Sequence, residues 1–115
     1  MKSTPRFLHG VFPITGEGLT KPGPLDASLR YTVPRDVEAQ LVYFRGGNAS
    51  DMLVYAVIMR DGEPMRWFPI GAQDGTHVAL RVVEDLLAET TIEVHVGAPE
   101  GASGHVVVDL GLVEV

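Results

Sequence analysis

Apolar and polar positions alternate along much of the chain. In residues 28–33, Leu29, Tyr31 and Val33 fall on one side and Ser28, Arg30 and Thr32 on the other, the period of a strand with one buried face. After a turn at Pro34-Arg35-Asp36, residues 37–45 set Val37, Ala39, Leu41 and Tyr43 on one face and Glu38 and Gln40 on the other. Val42 and Phe44 make that second face apolar towards the strand end. Gly46-Gly47-Asn48 tolerates positive φ, so a turn is expected to follow.

The best-determined local structure is a hairpin. Residues 52–60 and 63–70 flank Asp61-Gly62, the preferred pair for a type I′ turn. A two-residue loop sets Arg60 opposite Glu63, Ile58 opposite Met65, Ala56 opposite Trp67 and Tyr55 opposite Phe68. Pro64 and Pro69 cannot donate to a ladder, which puts the second strand at a sheet edge. Every position from 52 to 59 is apolar, so both faces of the first strand need cover.

Further strands are expected at residues 77–82, at 90–96 with Ile92, Val94 and Val96 inward, and at 105–115. A short helix is expected at 83–89. In the last strand the set Val106, Val108, Leu110 and Leu112 would carry Glu114 into the core. A bulge at Gly111 shifts the register to Val113 and Val115, and that register is the expected one. The sum is an all-β sandwich of about eight strands with one short helix, immunoglobulin/fibronectin-III-like or jelly-roll. It forms a single domain, 1–115, with residues 1–25 as an N-terminal strand and loop packing on it.

Composition narrows the function classes more than it identifies one. The 115 residues hold sixteen valines and no cysteine, which excludes a disulfide scaffold, thiolate zinc sites and cysteine nucleophiles. A formal charge of −6 argues against nucleic-acid and anionic-membrane surfaces. The N-terminal residues lack the apolar stretch of a signal peptide, and no apolar run reaches the roughly 18–20 residues of a spanning helix. A cytoplasmic location is therefore expected. Asn48-Ala49-Ser50 matches a glycosylation sequon and is read as a polar turn.

Candidate chemistry is sparse. Glu93 and His95 share one strand face and could offer two metal ligands, with His77 joining from a neighbouring strand; the plainer reading is solvent-facing polar residues. Ser103-Gly104-His105 and Asp74-Gly75-Thr76-His77 bring a hydroxyl near an imidazole, but neither resembles a nucleophile elbow. Arg45, Arg60 and Arg66 could converge as an anion site, against pairing with surface acids, as Arg60 with Glu63. No catalytic residue and no cofactor is assigned.

Two stretches carry resemblances. Residues 86–98, LLAETTIEVHVGA, look like the corner of a fibronectin type III domain, with Ile92 where that family prefers tyrosine. YFRGGN (43–48), RDGEPMRWFPIGA (60–72), VVEDL (82–86), APEG (98–101) and DLGL (109–112) together resemble a small family of uncharacterised bacterial proteins. Some of those are labelled as linked to molybdopterin oxidoreductases. The resemblance implies an accessory or neighbouring protein, because a cysteine-free chain this short does not itself enclose a molybdopterin cofactor.

Surplus apolar surface is the main functional signal. Val42, Phe44, Leu53, Tyr55, Val57, Met59, Phe68 and Ile70 form a second apolar set beside the expected core, although the two sets could exchange roles. The leading expectation is a non-catalytic binding or accessory protein acting through an apolar sheet face. Its interaction residues are Phe44, Leu53, Tyr55, Val57, Phe68 and Trp67, with Arg45 and Asn48 at the adjoining turn. The partner is expected to be a second copy or another protein, an oxidoreductase among the candidates. The alternative is a small-ligand or carbohydrate-binding module using Trp67, Tyr43 or Tyr55 as a stacking platform; a metal-assisted enzyme on Glu93, His95 and His77 is a third class.

Overall fold

Ten strands and one 3-10 turn make up the computed structural model, which describes residues 3–80 and 84–115. The strands are β1 Thr4–Thr15, β2 Gly18–Pro24, β3 Arg30–Thr32, β4 Ala39–Asn48, β5 Val54–Arg60, β6 Glu63–Ile70, β7 Asp74–Ala79, β8 Asp85–Leu86, β9 Thr91–Ala98 and β10 Ser103–Glu114. The 3-10 turn, Ala27–Leu29, is capped by Asp26, whose carboxylate accepts from the Ser28 N–H. Two antiparallel sheets result. The first runs β1-β10-β4-β7, with β8 also on β4; the second runs β2-β9-β5-β6, with β3 also on β9.

The pairing decides between the two expected sandwich types. β1 pairs β10, β2 pairs β9, β4 pairs β7 and β5 pairs β6, and these nested pairs alternate between the two sheets. The chain is thus one long antiparallel hairpin, turned at Asp61-Gly62 and rolled up, which is the jelly-roll connectivity. Residues 4–24 do not lie across a sheet face as a cover. They supply an edge strand to each sheet, β1 to the first and β2 to the second.

The Asp61-Gly62 turn forms as expected, with φ of 50° and 85°, and β6 with its two prolines is an edge strand. The register beyond the turn differs. Arg60 stands opposite Glu63 and Met59 opposite Pro64, but Ile58 then faces Arg66, so Met65 is an extra residue. That bulge sits beside a proline that has no N–H to give the ladder. It pairs Ala56 with Phe68 and Val57 with Trp67, one residue away from the expected partners.

A second one-residue event lies on β4. Gly111 faces Tyr43 while Leu112 faces Leu41, leaving Val42 as the bulged residue. Ala39 and Leu41 therefore point inward before it, and Phe44, Gly46 and Asn48 after it. The irregularity falls at Gly111 as expected, but the extra residue is on the partner strand. β10 keeps its alternation, and Glu114, not Val113, turns inward.

The expected helix over 83–89 is not formed by its described residues: Asp85–Leu86 is a strand on β4. Val83, and Arg81 and Val82 at the end of the expected 77–82 strand, lie outside the described residues.

Phe44 and Phe68 stack across the core at 4.2 Å with an 11° interplanar angle. Around them pack Val54, Ile58, Ile92, Val94, Val106 and Leu110, all essentially without solvent exposure. Glu114 is 7% exposed. It accepts a hydrogen bond from the Tyr31 hydroxyl at 2.5 Å and meets Arg6 Nε at 3.1 Å, tying β3 of the second sheet to β10 and β1 of the first. The Tyr31 hydrogen bond, and then Arg6, hold the Glu114 carboxyl below its ordinary range, while burial and the carboxylate push the Tyr31 hydroxyl up. A depressed carboxyl pKa stabilises the fold above the unfolded value near 4.5, and that contribution is lost as pH falls through the folded value. Denaturant midpoints of wild type and Glu114→Gln should therefore differ at neutral pH and converge on acidification. A gap that stays constant across that range would contradict this role.

Candidate functional site

The outer face of the first sheet follows from alternation and register. Side chains of β1, β10, β4 and β7 that point away from the core line up in rows across the four strands. One row runs His9, Asp109, Arg45 and His77; on one side of it lie Phe7, Gly111, Tyr43 and Ala79, and on the other Val11, Val107, Gly47 and Gly75. The Tyr43 ring lies over Gly111, in the space a β-carbon there would need. Its hydroxyl donates to Asp109 Oδ1 at 2.8 Å, and its ring meets His77 edge-on at 6.2 Å. Burial, then the bond to Asp109, pushes the Tyr43 hydroxyl pKa up, so it serves as a neutral donor.

Phe7, His9, Val11, Tyr43, Val107 and Asp109 line a shallow groove of about 520 Å³ on this face. Phe7 is 55% exposed, Val11 63% and Val107 47%, so three apolar side chains stand in solvent around the Tyr43–Asp109 pair. Such an arrangement can hold an apolar partner and orient it by hydrogen bonds. Tyr43, expected as a stacking residue, and Arg45, expected as an interaction residue, lie on this face, but Phe7, Val11, Val107 and Asp109 were not expected there. The available signals were Val107 out of phase with Val106 and Val108, and apolar residues on both sides of β1.

The outer face of the second sheet carries part of the expected interaction set. Val57 pairs with Trp67 and with His95, and is fully buried although it faces away from the core. The Tyr55 and Trp67 rings lie 5.4 Å apart at 49°. Tyr55 covers Gly97 and donates to the Leu19 carbonyl at 2.7 Å, while Trp67 stays 55% exposed.

The rest of that set is dispersed. Phe44 and Phe68 are core residues, placed inward by the bulges at Val42 and Met65. Arg45 is on the other sheet's outer face, and Leu53 is in the segment before β5. The turn expected at Gly46-Gly47-Asn48 is instead the end of β4, and Asn48, 3% exposed, holds together the turn that follows, its amide donating to the Met52, Ile70 and Gly71 carbonyls. The three arginines do not converge as an anion site. Arg60 and Arg66 meet Glu84 at 3.0 and 2.8 Å, so the chain's own carboxylate neutralises them, and Arg60 pairs with Glu84, not Glu63.

The candidate metal ligands are not assembled. Glu93 and His95 sit together on β9, with His95 Nε2 3.7 Å from Glu93 Oε1 and Arg30 3.5 Å from the other carboxylate oxygen. His77 lies on the outer face of the first sheet, with the core between. Among the described residues, no group of three His, Asp or Glu side chains could hold a metal ion. No family model matches the chain, and no curated protein matches it.

Proposed function

We propose that this chain is a non-catalytic binding or accessory protein that holds a protein partner against the outer face of its first sheet, in the cytoplasm. The observation that carries this reading is the joint exposure of Phe7, Val11 and Val107 around a hydrogen-bonded Tyr43–Asp109 pair. Contiguous exposed apolar surface rimmed by polar groups is characteristic of interaction sites. The resemblance to oxidoreductase-linked bacterial proteins supplies a partner class, a redox enzyme. Capture from the source cells with the wild type, with Trp67→Ser and with a Phe7→Ser/Val107→Ser double variant tests the reading. A partner retained by the first two and lost by the third is expected; identical capture by all three contradicts it.

A second reading rests on a separate observation, the exposed Trp67 beside Tyr55 on the second sheet. Such a pair can stack against the apolar face of a sugar ring. Trp67 is the only tryptophan, so fluorescence titration with a panel of sugars reads this site directly. A saturable change favours the carbohydrate reading; an unchanged spectrum removes it.

A further inference from the structure

β1 is the outermost strand of the first sheet, and among the described residues it pairs with β10 alone. Its ladder with β10 is unbroken over twelve residues, Thr4–Thr15. The direction of each backbone group follows from the next strand. The Ala49 N–H donates to the His105 carbonyl at 2.9 Å, so His105 turns its backbone towards β4. Pro13, the β1 partner of His105, therefore points its own backbone away from β10. Alternation assigns the same outward direction to Pro5, Phe7, His9 and Val11. The prolines fit this assignment, because neither has an N–H to give β10.

The free edge thus offers N–H and C=O groups at Phe7, His9 and Val11, closed off at each end by a proline. Natural edges are blunted by prolines to prevent pairing. β6, at the edge of the second sheet, carries Pro64 and Pro69 within eight residues. On β1 the seven residues 6–12 are left open between the prolines.

The spacing is also symmetric. Pro5 and Pro13 each lie four positions from His9, and Phe7 and Val11 each lie two. We propose that two copies of this chain pair antiparallel through the free edges of β1 in a register centred on His9, making one continuous sheet of their two first sheets. In that register His9 faces its counterpart, and Phe7 faces Val11 of the partner subunit. The outward groups then form three pairs that each exchange two hydrogen bonds, and proline meets proline at both ends. A shift to either side sets a proline against one of the donors and loses bonds. On the exposed face Phe7 packs beside Val11 of the partner subunit, shielding the flanks of the two most exposed apolar side chains of β1 while their tops stay open on the sheet surface.

A twelve-residue strand is about 40 Å long at roughly 3.4 Å per residue, close to the 46 Å long axis of the molecule. The joint is narrow, placing it at the low end of specific interfaces, so association is expected in the micromolar range. Pairing in this way does not depend on whether the first sheet also binds another protein. It leaves Tyr43 and Val107 accessible and sets the two grooves side by side on one face.

Cysteine crosslinking tests the register in a chain that has no cysteine of its own. Residue 9 would face its counterpart at a Cα separation of about 5.5 Å, within disulfide range. His9→Cys should form a covalent dimer on mild oxidation, while His77→Cys, on β7 at the other side of the sheet, should not. Sedimentation of the wild type should show reversible dimerisation. His9→Pro removes a central donor that β10 does not use, and should give a monomer that still unfolds cooperatively, with a Tm that no longer rises with protein concentration. His9→Lys tests the same joint by charge if the proline variant does not fold, because it sets two lysines directly opposite each other. A strict monomer at high micromolar concentration, crosslinking of His77→Cys as fast as His9→Cys, or a dimer that survives both substitutions would overturn the proposal.

Discussion

Phe44→Ala is expected to destabilise the sandwich by about 3–5 kcal/mol, the range for removing a buried phenylalanine from a close-packed core. Phe44 has no solvent exposure and stacks on Phe68 at 4.2 Å, so its loss removes both transfer energy and the contact that joins the sheets at their centre. The cavity has little means of collapse, because its wall on one side is the backbone of β4 and on the other a second aromatic ring. For a domain whose total stability is of order 5–15 kcal/mol this is a large fraction, equivalent to a fall in Tm of roughly 10–20 °C. Val42→Ala, two residues earlier at an exposed bulge, should change stability by about 0.5 kcal/mol or less. Thermal and urea unfolding of the two variants measures the contrast. A Phe44→Ala variant as stable as wild type but altered in association would mean that the core and outer faces of β4 have been exchanged.

Asn48→Ala should cost about 2–4 kcal/mol, as expected for buried polar groups left without partners. Asn48 Oδ1 accepts from the Ser50 N–H at 2.9 Å and the Ser50 hydroxyl at 2.7 Å. Its amide donates to the Met52 carbonyl at 2.8 Å and to the Ile70 and Gly71 carbonyls at 3.1 Å. One side chain thereby joins the end of β4, the turn after it and the end of β6. Alanine supplies none of these bonds. Asn48→Asp keeps the shape but can donate nothing to the three carbonyls, and should be at least as damaging. Beyond the global loss, amide exchange should rise locally in residues 50–53 and 70–73. Uniform loss of protection without that local excess would contradict the role given to this side chain.

What could be read from the sequence was local and periodic. The Asp61-Gly62 turn has its own backbone chemistry, and β6 declares its edge position through Pro64 and Pro69. Leu29 and Val33, like Ile92 and Val94, go inward where alternation puts them. The failures come from single residues. A bulge inserts one position, and one position reverses every side chain beyond it. Val42 moves Phe44 from the exposed set into the core, and Met65 does the same for Phe68. Neither residue has a side chain that marks it as a bulge.

Long-range partners were illegible for a different reason. Glu114 is tolerable inside because Tyr31, 83 residues earlier, and Arg6 on β1 meet its carboxylate. No local pattern connects these positions. The outer face of the first sheet was missed similarly, since Phe7, Tyr43 and Val107 become neighbours only when β1 and β4 flank β10.

Site-specific photo-crosslinking in cells gives the most direct test of whether this protein works through the outer face of its first sheet. One photoreactive residue would replace Val107 on that face, and in a second preparation Pro69 on the outer face of the other sheet. A discrete protein adduct is expected from position 107 and none from position 69. An adduct from position 69 alone, or from neither position, would contradict it.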